Sequence, residues 1–373
     1  MTGETHAARY LIRGGRIYDH DGDIHQPATA DLLIRDGIIE RIAPQIAADG
    51  GAEVVDAAGK LVAPGFVNAH YHSHDVMAKG LFEEMPFDIW MLHSNPASYG
   101  RRSHEEVRVR TLIGAAESLR NGITTIQDFL TVVPPDEAYV DTVLSAYEEA
   151  GIRVVFAIAA RDRAALDIAP FIPKNLPDSI RKRLAGQDRS ARDELDFVSN
   201  QIRRLGKTPT KLQTWALAPS APQRCSAELL EGIAALSREH GLPVLTHVYE
   251  TRVQAAAAHM GSDPSVSLFD VLAHAGLMND RLGVVHGAGY RRATLRRSRR
   301  PVPASSTIRS AISSSRAGLP RFSISIAPGS TSRSVATTIA APRPKISSPP
   351  CGCSVCCRRS RILIRARSTP ATL

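Results

Sequence analysis

Residues 62–72, V-A-P-G-F-V-N-A-H-Y-H, decide how the chain is read. An apolar run closes on His70-Tyr71-His72, and in an extended strand residues i and i+2 point to the same side. Two imidazoles therefore converge on one spot at a strand end, as a metal site requires. Imidazole suits Zn, Fe, Ni or Cu better than Mg or Ca. The same placement recurs twice downstream. His247 ends the apolar strand P-V-L-T-H (243–247), and His286 ends L-G-V-V-H (282–286). One histidine at a strand end is an ordinary core or surface residue. Four of them at the ends of three separate strands form a constellation.

From residue 61 onward strand and helix alternate. H-E-E-V-R-V-R-T-L-I-G-A-A-E-S-L-R (104–120) predicts a helix stopped by Asn121-Gly122, and I-T-T-I-Q-D-F (123–129) a strand rich in β-branched residues. An amphipathic helix over 136–151, a strand over 153–160, a charged helix over roughly 188–206 and a strand over 211–219 follow. Ser226 then caps a helix that ends at Gly241. With the P-V-L-T-H-V-Y-E (243–250) and R-L-G-V-V-H-G (281–287) strands this makes six strand–helix steps. Repeated βα units predict an α/β fold with a parallel sheet, either a (β/α)8 TIM barrel or an open doubly wound sheet. In a barrel the C-terminal strand ends line one pocket, which would collect His70, His72, His247 and His286. Glu250, three residues beyond His247, stands close enough to act there as a proton carrier; its plainer reading is a solvated carboxylate at a helix start. Upstream, residues 9–63 read as short strands broken by Gly and Asp turn signals.

At 373 residues, 43% hydrophobic and 22% charged, the chain has room for one large α/β domain and a small accessory domain. No apolar run reaches the roughly eighteen residues a membrane helix needs, and the opening M-T-G-E-T-H-A-A-R-Y lacks an export signal, so a cytoplasmic location is expected. The formal charge of +9 hides a split. Up to Tyr290 there are 29 Lys and Arg against 37 Asp and Glu, a net of −8; from Arg291 there are 16 Arg, one Lys and no acid, a net of +17. An arginine-rich arm can contact phosphates, but this one has one Phe as its sole aromatic residue and no recognisable module. The expected partner is a small molecule, with no nucleic acid and no membrane; homo-oligomerisation stays open. Cys351, Cys353, Cys356 and Cys357 lack the paired ligand set of a metal site.

The strings A-P-G-F-V-N-A-H-Y-H, N-G-I-T-T-I-Q-D-F, T-H-V-Y-E-T and V-V-H-G, in this order, resemble the amidohydrolase superfamily, in particular its cytosine deaminase, adenosine-type deaminase and chlorohydrolase branch. The match covers roughly residues 9–287. The resemblance implies a (β/α)8 barrel (strands one to six over 64–287) beside a small β-sandwich built from both chain ends, residues 1–63 being its N-terminal portion. It implies one divalent metal, Zn or Fe, held by His70, His72 and His247. Glu250 would move a proton to the substrate ring or leaving group, and His286 would polarise the group under attack. The implied reaction is hydrolysis of a C–N bond, deaminating a nitrogen heterocycle by metal-activated water. A dechlorinating or amide-cleaving relative is the alternative, because fold does not fix the leaving group. The two-metal branch uses a carboxylated lysine inside strand four; here Lys211 stands only at its entrance, which favours one metal. The loop after His72, with Glu83, Glu84, Trp90 and His93, either shapes the substrate pocket or packs as an ordinary loop.

One departure stands out. The family's last site residue is an Asp at the end of strand eight, yet the chain has no Asp or Glu after Asp280. A slipped reading frame accounts for this. If each true codon joins the last base of one written codon to the first two of the next, a written Ser hides Leu, Val, Ile or Phe, and a written Thr hides Asn, Asp, His or Tyr. Written 306–313, S-T-I-R-S-A-I-S, then permits V-H-N-P-L-S-N-L, and written 328–335, P-G-S-T-S-R-S-V, permits A-G-V-N-V-A-L-G, with Thr337 and Thr338 permitting D-N. These resemble the family's strands seven and eight and restore the Asp. Residues 288–373 are thus expected to be a frameshifted, Ser/Arg/Pro-rich, disordered tail. The chain as written is expected to be poorly soluble and nearly inactive, its barrel left with open edges. The rival reading is a non-catalytic protein whose basic arm binds nucleic acid.

Overall fold

The computed structural model describes residues 9–287 apart from 20–21, 49, 82–84, 88–89, 91–101, 164–176, 180–188, 207–208 and 260–265. The tail from residue 288 and the loop residues Glu83, Glu84 and His93 lie outside the described residues. Two compact units are present, one reaching Gly65 and the other beginning at Phe66. No helix among the described residues is long and apolar enough to cross a membrane.

The first unit is a mixed sheet of β1 (Arg9–Ile17), β2 (Thr29–Arg35), β3 (Ile38–Ala43), β4 (Glu53–Asp56) and β5 (Leu61–Val62), ordered β3-β2-β1-β4 with β5 also on β1. The β2–β3 hairpin turns through Asp36-Gly37, both at positive φ (52° and 76°), the conformation that a two-residue primed turn requires. Asp31 staples the unit: its buried carboxylate accepts from Gly14 N (2.8 Å) and Ile46 N (2.9 Å). Those two bonds, Ile46 first, hold its pKa below the usual carboxylate value. The stability Asp31 contributes is therefore present above about pH 4 and lost as pH falls through the lowered pKa. Asp31→Ala strands two backbone donors, and the expected cost is roughly 2–3 kcal/mol, read as faster hydrogen exchange at Gly14 and Ile46 than in the wild type.

The apolar run over 61–70 reads as one strand in the sequence but is two, β5 ending at Val62 and the next strand starting at Phe66. Pro64 has no N–H to give a ladder and stops the first of them.

The second unit carries an all-parallel sheet of β6 (Phe66–Tyr71), β7 (Ile123–Leu130), β8 (Arg153–Ala160), β9 (Gln213–Pro219), β10 (Val244–Val248) and β11 (Leu282–His286), neighbours in space as in sequence. Between them run α1 (His104–Arg120), α2 (Glu137–Ala150), α3 (Ala191–Leu205), α4 (Ala227–His240), α5 (Arg252–His259) and α6 (Leu268–His274). Ser103, Asp136, Ser190, Ser226 and Ser267 cap five of these helices, each accepting the backbone N–H of the residue three positions on. Strands buried on both faces need continuous apolar runs, and R-V-V-F-A-I-A-A of β8 is one.

In a flat sheet, five spacings of about 4.8 Å would hold β6 and β11 about 24 Å apart. The rings of His70 on β6 and His286 on β11 have centroids 5.2 Å apart. The sheet is therefore curled into a barrel, with six of its strands among the described residues. Phe129, Ala157, Ala216 and Ala218 pack together as a small cluster of their own. They share the strand faces that bear the site histidines. Trp215, Phe156, Tyr147 and Leu229 belong to the larger core in which strands and helices meet. α1 lies close over β6: a Cβ on Gly114 would collide with the hydroxyl of Tyr71, the residue between the two strand-end histidines.

Candidate metal centre and its neighbours

The alternation of β6 turns Tyr71 toward α1 and aims His70 and His72 into the barrel mouth. β10 delivers His247 to the same place. Ring centroids are 4.6 Å apart for His70–His72 and 4.9 Å for His70–His247, and one potential ligand atom from each of the three lies within 4.8 Å of the others. This is the one such cluster among the described residues. The sequence-predicted triad is thus brought together.

Two carbonyl groups set the chemistry of the cluster. His72 Nδ1 lies 2.7 Å from Phe129 O, and His247 Nδ1 lies 2.7 Å from Ser220 O. A ring nitrogen facing a carbonyl must carry the hydrogen, which leaves each Nε2 as a bare lone pair. Those two Nε2 atoms face each other at 3.4 Å. Two lone pairs that close repel unless a cation lies between them. A proton is a poor candidate: burial pushes the pKa of His72 down to about 4, and burial followed by neighbouring imidazoles holds His70 and His247 well below the usual value. Both ring nitrogens of His70 lack a hydrogen-bond partner among the described residues. Nitrogens about 2.0–2.1 Å from a tetrahedral Zn²⁺ stand roughly 3.4 Å apart, so the observed spacing fits one divalent ion. Lys211 is exposed ahead of β9, and Ala216 and Ala218 occupy the strand positions that align with the site. A second, lysine-bridged metal has no ligand there.

Beside the triad lies a carboxylate–imidazole pair. His286 Nε2 is 3.3 Å from Glu250 Oε1, and both residues are buried. The His286 ring also stacks on His247, with centroids 5.3 Å apart. Two non-glycine residues hold left-handed backbone here, Tyr249 (φ 50°) and His286 (φ 76°). Such residues cost of order 1–3 kcal/mol and persist where their surroundings over-determine them. Gly287 N donates to Val248 O at 2.8 Å, tying the two strand ends together, and the Tyr249 hydroxyl accepts from Leu268 N at 3.0 Å. The turn at Tyr249 is what brings Glu250 round to His286.

Sequence reasoning did not single out Phe129, Ser220, His74 or Arg224. The first two act through backbone carbonyls, which carry no residue-type signal. His74 follows the H-x-H pair by two residues, its ring 5.2 Å from that of His72. Arg224, in the turn after β9, donates to Ser220 Oγ at 3.3 Å. Of the loop residues proposed for the pocket, Trp90 is described: it is partly buried and stacks on Phe87 at 5.5 Å.

A parallel α/β barrel with an imidazole triad at the C-terminal ends of its strands defines a (β/α) barrel protein with a candidate metal centre. Residues 61–332 match the model of the Amidohydrolase family, and the chain belongs to that family. Among curated relatives it is 27% identical over 289 residues to the 5-methylthioadenosine/S-adenosylhomocysteine deaminase of Pyrococcus furiosus, covering 77% of this chain and 60% of that protein. The chain thus spans well under two thirds of that relative's length. Among solved structures it resembles the atrazine chlorohydrolase of Arthrobacter aurescens complexed with zinc (TM-score 0.63, 19% identity, 77% of this chain and 63% of the other). It also resembles an adenosine deaminase from Xanthomonas campestris with bound zinc (TM-score 0.57, 21% identity, 78% and 60%).

Proposed function

We propose that this protein is built to hydrolyse a C–N bond of a small nitrogen heterocycle, as a deaminase using one zinc ion. The observation that carries the reading is the pair of bare Nε2 lone pairs on His72 and His247, 3.4 Å apart, with His70 beside them. His70, His72 and His247 would hold the ion, which when bound supplies an ionised water nucleophile near neutral pH. Zinc is favoured over iron by the zinc in the two similar barrels. The choice of deamination leans on the name of the curated relative; loss of chloride from a ring is the alternative that the chlorohydrolase name supplies.

The remaining roles fall to the chain's own groups. Glu250, kept from bulk water, can hold a proton and pass it to a ring nitrogen or to the leaving group. His286, held against Glu250, presents an N–H to the group under attack. Glu250→Gln keeps the shape and removes the proton carrier. A loss of about 10²–10⁴ in kcat is expected in any active form, with zinc content unchanged. The free, buried thiol of Cys225 fits a reducing cytoplasm, where we place the protein.

The test is the metal content of the chain, together with release of ammonia or chloride by the chain with its reading frame restored, from adenosine-type nucleosides, free purines and chlorotriazines, with and without a chelator. One chelatable zinc per chain and metal-dependent ammonia release are expected. Zinc binding without release from any of these heterocycles would overturn the substrate class, and absence of zinc would overturn the mechanism.

A further inference from the structure

We propose that Asp128 is a positioning residue for His72, holding the backbone at the point where the chain leaves the metal pair. Asp128 is fully buried on β7, on the opposite strand face from Phe129. It stands in register with Tyr71, the residue between His70 and His72. Its Oδ1 accepts from Ser73 N at 3.0 Å, the first residue after His72. Its Oδ2 accepts from the Tyr147 hydroxyl on α2 at 2.7 Å. The next carbonyl along β7, that of Phe129, accepts from His72 Nδ1 at 2.7 Å. Two successive residues of one strand thus grip His72 from both sides, Phe129 by the ring and Asp128 by the following peptide. The bond to Phe129 O restrains the ring's rotation, but the ring still moves with its backbone if that backbone shifts. With the peptide also fixed, Nε2 stays 3.4 Å from that of His247.

A buried carboxylate is costly to keep, and a simple packing role would be met by an apolar residue of similar size. The geometry explains the choice: two donors arrive from different elements, and a carboxylate accepts from both. Partners that orient metal ligands in this way are worth 10–100-fold in metal affinity.

The inference rests on the reading that His70, His72 and His247 hold a metal, and Co²⁺ titrated into the full chain tests both. Wild type should bind one Co²⁺, and His247→Ala should lose that binding. If wild type takes up no Co²⁺, or if His247→Ala binds as wild type does, the metal reading fails and the role of Asp128 falls with it. Given a bound wild type, Asp128→Leu should weaken binding about 10–100-fold and alter the Co²⁺ visible spectrum. Asp128→Asn should recover most of the affinity, since its amide oxygen can still accept from Ser73 N while its NH₂ donates to Tyr147. Tyr147→Phe should lower the melting temperature and leave Co²⁺ affinity unchanged, which separates positioning from stability. Should Asp128→Leu fail to fold, Ser73→Pro removes the same hydrogen bond. His72, at φ −126° and ψ 100°, already has the extended backbone that a residue before proline adopts. Wild-type affinity and spectrum in a folded Asp128→Leu or Ser73→Pro chain would overturn the proposal.

Discussion

His247→Ala is expected to reduce zinc affinity by at least about 100-fold and to bring metal-dependent turnover to background. Structural zinc sites with four ligands bind with about 10–16 kcal/mol, so one imidazole is worth roughly 3 kcal/mol, a factor of about 100 in affinity. The effect should exceed that of any residue outside the triad, because His247 is also one half of the facing Nε2 pair. Competition against a chelator of known affinity measures it. The apo chain gives a second signature. His70, His72 and His247 are held below the ordinary imidazole pKa of about 6.5 chiefly by burial, so protons favour the unfolded chain. Their contribution to stability is complete above about pH 6.5 and is lost as pH falls toward the lowered values, about 4 for His72. Zinc competes with protons for the same nitrogens. The zinc-loaded chain should hold its melting temperature to lower pH than the apo chain, while in His247→Ala added zinc should no longer separate the two curves. A variant that keeps one tightly held zinc would mean that the triad is not the metal site.

The site was legible where strand alternation alone determines it. His70 and His72 share a face because they are two apart in an extended stretch, and His247 reaches them because parallel strands end together; His286, in register with Val248 of the helix-facing core, reaches them through its left-handed backbone. Lys211 is exposed and precedes β9, at the strand entrance where the sequence places it. What could not be read was anything depending on a partner of no particular residue type. The carbonyls of Phe129 and Ser220 fix two tautomers, yet another residue type in either place would offer the same oxygen. The left-handed backbone at Tyr249 and His286 was invisible because only a few per cent of non-glycine residues adopt it, and the modest enrichment of His there does not mark one position. Asp128 was quoted within a strand string, but its role appears only when Ser73 and Tyr147, from two other elements, meet it. Pro64 was in plain view, and the apolar run on either side of it still read as one strand.

Resequencing the source DNA across the codons for residues 280–300 is expected to show one inserted or deleted base near codon 287, and restoring the frame is expected to restore catalysis. Up to Tyr290 the chain has the acidic balance of an ordinary α/β enzyme, and beyond it acids vanish while arginine accumulates. β11 ends at His286 with the histidine triad and the Glu250–His286 pair already assembled. What the written sequence lacks is a carboxylate that would take the proton of the attacking water, and the shifted reading of Thr337 supplies an Asp in a string that reads as a strand. The family match continues to residue 332, beyond the inferred slip. A missing general base costs about 10²–10⁴ in rate; the repaired chain should exceed the written one by at least that factor at equal zinc content, measured as ammonia released per bound zinc. Zinc binding should differ less than turnover between the two, because His70, His72 and His247 precede the slip. A clean sequence in the written frame, together with equal turnover in both chains, would assign the arginine-rich segment to the functional protein. Salt-dependent binding to nucleic acid would then become its proper assay, since phosphate contacts weaken steeply as salt rises.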